Sequence, residues 1–156
     1  MRPAFDAGRA SVYGMGMNAI DRIQETIIEE FALFDSWEER YRHLIELGRK
    51  LPLYPESFRT DEYLVRGCQS RVWLHPRLED GRLYFDAASD ALIVSGLIAL
   101  LLRIFSGQTP AAIIAAQPRF VEAIGLGAHL SPTRSNGLDA MIRAIKGIAV
   151  ASMAER

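Results

Sequence analysis

The sequence predicts an α+β fold, in which a small antiparallel sheet with a hairpin at its core packs against several α-helices. Three observations carry this. Apolar residues recur at three- and four-residue spacings before residue 52 and after residue 90, the period of amphipathic helices. Between those segments, from Arg71, the period falls to two on either side of an Asp80-Gly81 pair, which reads as a β-hairpin closed by a tight turn. No repeat or linker interrupts the 156 residues, a length at which one hydrophobic core can stand without staples.

The elements follow in order. Ile20, Ile23, Ile27, Phe31 and Phe34 share one stripe of a helix of about four turns, with Arg22, Glu25, Glu29 and Glu30 on the opposite face. Ser36-Trp37-Glu38-Glu39 has the form of a capping box, so a second helix starts there and carries Trp37, Tyr41, Leu44, Ile45 and Leu51 inward. Pro52 stops it, because proline lacks an N–H and disfavours helix in the residue before it. Residues 53 to 60, with Pro55 among them, read as a loop. The hairpin is RVWLHPRL, the turn Glu79-Asp80-Gly81, then RLYFDAAS. Pro76 makes the first strand an edge or ends its pairing. Ser89-Asp90 supplies a cap and an acidic first turn for the apolar run 91–102, read as a buried core helix ending near Phe105. Thr109-Pro110 starts a short helix, and Ser131-Pro132 repeats that pairing of cap and proline. A long final helix places Leu138, Met141, Ile142, Ile145 and Ile148 on one stripe, with Ser135 and Asn136 as candidate caps.

Composition excludes several classes. A net charge of −1 is not that of a nucleic-acid binder, which carries a basic excess. The run 91–102 is too short to span a bilayer, which takes about 20 residues, so no membrane association is expected. Residues 1–17 contain no apolar run long enough for a secretory signal and read as a flexible tail, leaving one domain over 18–156 and the cytoplasm as the expected compartment. The single cysteine, Cys68, removes an internal disulfide, a CxxC pair and a cysteine-based zinc site together.

Cys68 sits in Arg66-Gly67-Cys68-Gln69-Ser70-Arg71, at the junction of loop and strand. Glycine permits close approach by another molecule, and two nearby guanidinium groups favour thiolate, the reactive form. The competing reading is a small buried hydrophobe, the usual fate of a lone cysteine. His43, His75 and His129 are each candidates for the base of a cysteine-nucleophile thiol hydrolase, since such a base is adjacent in space rather than in sequence. No cysteine-peptidase signature surrounds Cys68, and no histidine pair has metal-ligand spacing.

Four blocks point to a family: SWEERYRHLIELGRKLP at 36–52, VRGCQSRVWL at 65–74, SDALIVSGLIALLL at 89–102 and HLSPTRSNGLDAMIRAI at 129–145. In this order they resemble SufE-type sulfur acceptors, a group that includes the CsdE proteins, from about Ile20 to the C-terminus. Residues 1–17 have no counterpart. The resemblance implies a SufE/NifU-like fold and makes Cys68 the acceptor that carries a transient persulfide. It implies a cysteine desulfurase, SufS- or CsdA-like, as donor and an iron–sulfur scaffold as recipient. No cofactor or metal is then needed on this chain; pyridoxal phosphate belongs to the desulfurase. Monomer and homodimer both remain open. Family members keep the acceptor loop against an apolar pocket and expose it on docking, with Val72, Trp73, Leu74 and the 91–102 helix as the natural walls here. Gly67, Gln69 and Ser70 belong to that loop, and Ser89 and Asp90 match a block beside it. Arg134 matches the arginine of the family's S/T-P-x-R-x-x-G-L block and is expected to face the partner or the Cys68 loop. Gly137 in that block reads as a site of close packing or a turn.

Overall fold

A computed structural model describes residues 18–154; the expected tail, residues 1–17, lies outside the described residues. Helix α1 (Ala19–Ala32) starts where the Asn18 side chain accepts from the Asp21 N–H at 2.9 Å and buries Ile20, Ile27 and Phe31. It also buries a polar residue, Gln24, whose amide donates to the Gln117 carbonyl and accepts from the Phe120 N–H. Those bonds satisfy two distant backbone groups that would otherwise be orphaned in the core. Helix α2 (Trp37–Arg49) is capped as its sequence requires, Ser36 Oγ accepting from the Glu39 N–H at 3.2 Å. The reciprocal arm differs: the Glu39 carboxylate reaches one residue past the cap, to the Asp35 N–H at 3.1 Å.

The hairpin pairs β1 (Val72–Glu79) with β2 (Arg82–Ser89) in antiparallel register from Val72↔Ser89 to Glu79↔Arg82. The connection is two residues long, with Asp80 at φ 52° and Gly81 at φ 78°, the positive pair of a type I′ turn. Pro76 does not end the pairing; it lies opposite Phe85. The Phe85 N–H points away from β1, to Ser106 Oγ at 3.0 Å, so in an antiparallel ladder the backbone of its partner also points outward. Proline occupies a position where no ladder donor was needed.

Helix α3 (Leu92–Phe105) is the buried centre, with Leu97, Leu100, Ile104 and Phe105 fully enclosed. Its cap differs from the expectation. Ala91 holds the cap position without a side-chain bond, and Ser89 Oγ accepts from the Ala91 N–H two residues on, because Ser89 is still committed to the β-ladder. Helices α2 and α3 cross at Gly48 and Gly96: a Cβ on Gly96 would stand 2.1 Å from the Leu44 carbonyl oxygen, so the two backbones touch.

Helix α4 (Pro110–Ala115) begins at the Thr109 cap. Two short helices that the periodicity does not show follow, α5 (Phe120–Ile124) and α6 (Leu126–His129), joined at Gly125 with φ 92°. Helix α7 (Pro132–Ala154) starts at Ser131, whose Oγ accepts from the Arg134 N–H at 3.2 Å. Ser135 and Asn136 therefore lie inside it rather than capping it, because Ser131-Pro132 nucleates the helix a turn earlier. Lys146 on α7 donates to the carbonyls of Ile113, Ile114 and Ala116, closing the C-terminal end of α4. The hairpin, α3 and α7 share one continuous core. No helix among the described residues is long and apolar enough to cross a membrane.

Candidate functional site

Cys68 lies where the chain, after two 3₁₀ turns at Glu56–Phe58 and Asp61–Tyr63, crosses α7 to enter β1. The covering loop is pinned to the outer face of the hairpin by rings: Phe58 stacks on His75 with centroids 3.6 Å apart, and Arg59 lies over Trp73 at 4.7 Å. A β-bridge, Leu64↔Trp73, then passes the chain to the Cys68 segment. Gly67 takes φ 93° there, a backbone conformation that costs a side chain strain. A Cβ at Gly67 would also press on Ala140 Cβ at 3.1 Å.

The thiol is half-buried. Its Sγ–H donates to the backbone carbonyl of Gly137, 3.5 Å away on α7, an acceptor that can hold only the protonated thiol. Burial pushes the Cys68 thiol above its ordinary value, since a less hydrated site disfavours the thiolate. The expected lowering by Arg66 and Arg71 is thus corrected: both arginines are exposed, where water screens them, and desolvation decides the direction. At rest the site protects a thiol rather than activating one.

A small depression surrounds Cys68, with space for about 20 Å³, and Gln69, Ser70, Val72, Val94, Thr133 and Arg134 stand around it. The expected walls are half right. Val72 and α3 contribute, the latter through Val94, but Trp73 and Leu74 do not. Strand alternation turns Trp73 to the loop-covered face, and Leu74 lines a neighbouring groove. The missing wall is α7, which adds Thr133, Gly137 and Met141. Arg134 stands at the depression, with its guanidinium unpaired among the described residues. Gly137 makes no turn; it lies within α7, where a Cβ would rest 3.8 Å from Cys68 Sγ. Ser89 and Asp90 do not line the depression; Ser89 reaches the site only as the ladder partner of Val72. Arg66 lines the neighbouring groove, with Tyr63, Val65 and Arg143. Thr133, Met141 and Arg143 were not singled out as site residues in the sequence, where Met141 read only as part of the inward stripe, since the helical phase of α7 beneath a distant loop brings them there.

The histidines lie elsewhere. His43 Nε2 meets the Glu30 carboxylate at 2.6 Å, His75 is held in the ring stack, and His129 stacks on Trp37 at 4.2 Å. None lines the Cys68 depression, so the structure brings no imidazole to the thiol as a base. Among the described residues no group of His, Cys, Asp or Glu is gathered as a metal site.

The family model described as SufE, Fe-S metabolism associated domain, matches residues 25–149. The chain belongs to the SufE family. An uncharacterized SufE-like protein of Rhizobium meliloti is 50% identical over 128 residues, covering 78% of this chain and 91% of that protein. One of Rhizobium etli is 44% identical over 128 residues, covering 78% and 86%. The solution structure of a hypothetical protein from Thermus thermophilus superposes with TM-score 0.70 over 85% of this chain and 96% of that one, at 23% identity. The SufE-like α+β fold is therefore shared where the sequence has largely diverged. Membership places the chain in iron–sulfur metabolism, with the sulfur-transfer role of its family.

Proposed function

We propose that Cys68 accepts a sulfur atom as a persulfide from a pyridoxal-phosphate-dependent cysteine desulfurase and passes it to an iron–sulfur scaffold. The observation that carries this reading is the setting of the chain's one thiol: tucked against α7 through Gly137, with space beside it for one added atom. A water-sized group needs about 10–15 Å³, so the depression of about 20 Å³ that Cys68 lines has room for a small added group. A persulfide is readily reduced or oxidised, and a covered position shields it between encounters.

Transfer is a thiol exchange. The Cys68 thiolate attacks the outer sulfur of the donor persulfide, a new S–S bond forms on Cys68 as the donor's breaks, and the donor cysteine leaves as a thiolate. No external oxidant or reductant is consumed. The raised thiol sets a condition: docking must lift Cys68 from the Gly137 carbonyl into water before it ionises. Residues 66–71, beyond the bond from the Val65 N–H to the Val72 carbonyl, are the segment that this requires to move. Pyridoxal phosphate acts on the desulfurase, and this chain speeds turnover by clearing its cysteine.

Alanine release by a cysteine desulfurase tests the reading. The wild-type chain should raise the rate, and Cys68→Ser should leave it at the level of the desulfurase alone. Equal stimulation by Cys68→Ser would overturn it, since the thiol would then be dispensable.

A further inference from the structure

Four arginines among the described residues have guanidinium groups without an acid, carbonyl or ring partner: Arg66, Arg71, Arg134 and Arg143. Every other described arginine is engaged, for example Arg103 with Glu30, Arg119 with Glu25, Arg77 with Asp86 and Arg40 with two backbone carbonyls; Arg42, Arg49, Arg59, Arg82 and Arg22 also have partners. The unpaired set is not scattered. Arg66 and Arg71 bracket Cys68 in the chain, Arg134 stands at the thiol's depression, and Arg143 shares a groove with Arg66 on the other side of the crossing segment. All four are exposed. Arg134 and Arg143 are nine residues apart on α7, about 13 Å along its axis, so the set frames the thiol on both sides. The described arginines that lack a partner are thus gathered around Cys68, in a chain whose net charge is −1.

We infer that this arginine face is the docking surface for a carboxylate-rich face of the sulfur donor, an inference that rests on the reading above. Arginine suits the task because its planar guanidinium pairs with carboxylate in two parallel bonds. Charges at an interface rim steer encounter and fix orientation, which a carrier needs if its sulfur is to meet one particular cysteine. A protein partner fits better than a nucleic acid or an anionic lipid surface. The exposed carboxylates Glu62, in the groove beside Arg66 and Arg143, and Asp139, one helical turn before Arg143, break the positive field. Discrete carboxylates on a protein can be set opposite the arginines and clear of Glu62 and Asp139, whereas a uniform row of phosphates cannot.

The test is equilibrium binding of a cysteine desulfurase to the chain carrying Cys68→Ser, which separates docking from thiol chemistry, at low and high salt. Arg66→Glu, Arg71→Glu and Arg143→Glu combined should weaken binding at low salt at least tenfold and flatten its salt dependence. The control combination Arg42→Glu, Arg49→Glu and Arg119→Glu should change it less than twofold, with circular dichroism confirming that both fold. Binding that ignores salt, equal loss in the control, or no binding by the Cys68→Ser chain would overturn the inference. A DNA duplex or anionic vesicle binding with the same arginine dependence would also overturn it and assign the face to phosphate. Sulfur loading of the wild-type chain, read by mass, separates the two claims. Loading with arginine-independent binding sinks the docking surface alone, whereas arginine-dependent binding without loading sinks the carrier reading alone.

Discussion

Two places in this molecule bring backbone against helix through glycine, and they are built for opposite ends. At the crossing of α2 and α3, a Cβ on Gly96 would lie 2.1 Å from the Leu44 carbonyl oxygen and one on Gly48 2.8 Å from the Gly96 nitrogen. At the crossing of the Cys68 segment over α7, a Cβ on Gly137 would meet only Cys68 Sγ, at an ordinary 3.8 Å. The first contact is backbone on backbone beneath the largest buried side chains, and nothing there can give. At the thiol the second is closed by one weak hydrogen bond over a small unfilled space, although at Gly67 the same segment lies close on Ala140. Close packing is uniform enough in protein interiors that such a difference in fit marks where the chain is meant to hold and where it is meant to let go.

The two crossings differ most in what a methyl group would do at their glycines. Gly96→Ala should cost roughly 3 kcal/mol or more in urea unfolding, because the methyl group must push two helices apart. Gly137→Ala should be neutral or stabilising by up to about 1 kcal/mol, since alanine is the better helix residue and finds room. Equal costs at the two positions would erase the distinction.

The rigid side is also held by charge. Burial pushes the Glu30 carboxyl up, but bonds from Arg103 and His43 outweigh it and hold the group below its ordinary value. A carboxyl with a depressed folded pKa contributes stability at pH values above its unfolded pKa of about 4.3, and that contribution is lost as the pH falls through the lower folded value. Glu30→Gln should therefore lower stability at pH 7 by about 1–3 kcal/mol, and the difference from wild type should shrink in acid. A deficit that is unchanged by acid would remove the charge from the explanation.

On the releasable side the sign is reversed. A thiol with a raised folded pKa stabilises the closed segment at pH values below the ordinary thiol pKa of about 8.5, and that contribution is lost as the pH rises through the folded value. Alkylation of Cys68 in the free chain should be several-fold slower than that of a small thiol at pH 8, with a midpoint above about 8.5. A midpoint at or below that ordinary value would mean an activated thiol and a different resting site.

How far the sequence could be read follows from the range of each interaction. Local chemistry announced itself: Asp80-Gly81 for the hairpin, Ser36 and Thr109 for helix starts, the apolar run for α3. The failures were contests between two local signals. Ser135 and Asn136 looked like caps, but Ser131-Pro132 starts α7 earlier, and Ser89 stayed in the ladder instead of capping α3. Helices α5 and α6 escaped because each is too short for a period and a left-handed Gly125 divides them. Cys68 was legible as the candidate from its uniqueness and the blocks around it. Its control was not, because the Gly137 carbonyl lies 69 residues away and is backbone, which no residue type advertises. The arginines flanking Cys68 suggested activation in sequence; in space they face water, and burial sets the thiol's state.

The central claim is that the covered thiol receives one sulfur. Intact mass after incubation with a cysteine desulfurase and free cysteine measures it. The wild-type chain should gain one sulfur atom, removable by reductant and absent from Cys68→Ser. A wild-type chain that stays unmodified while the desulfurase turns over normally would contradict the account.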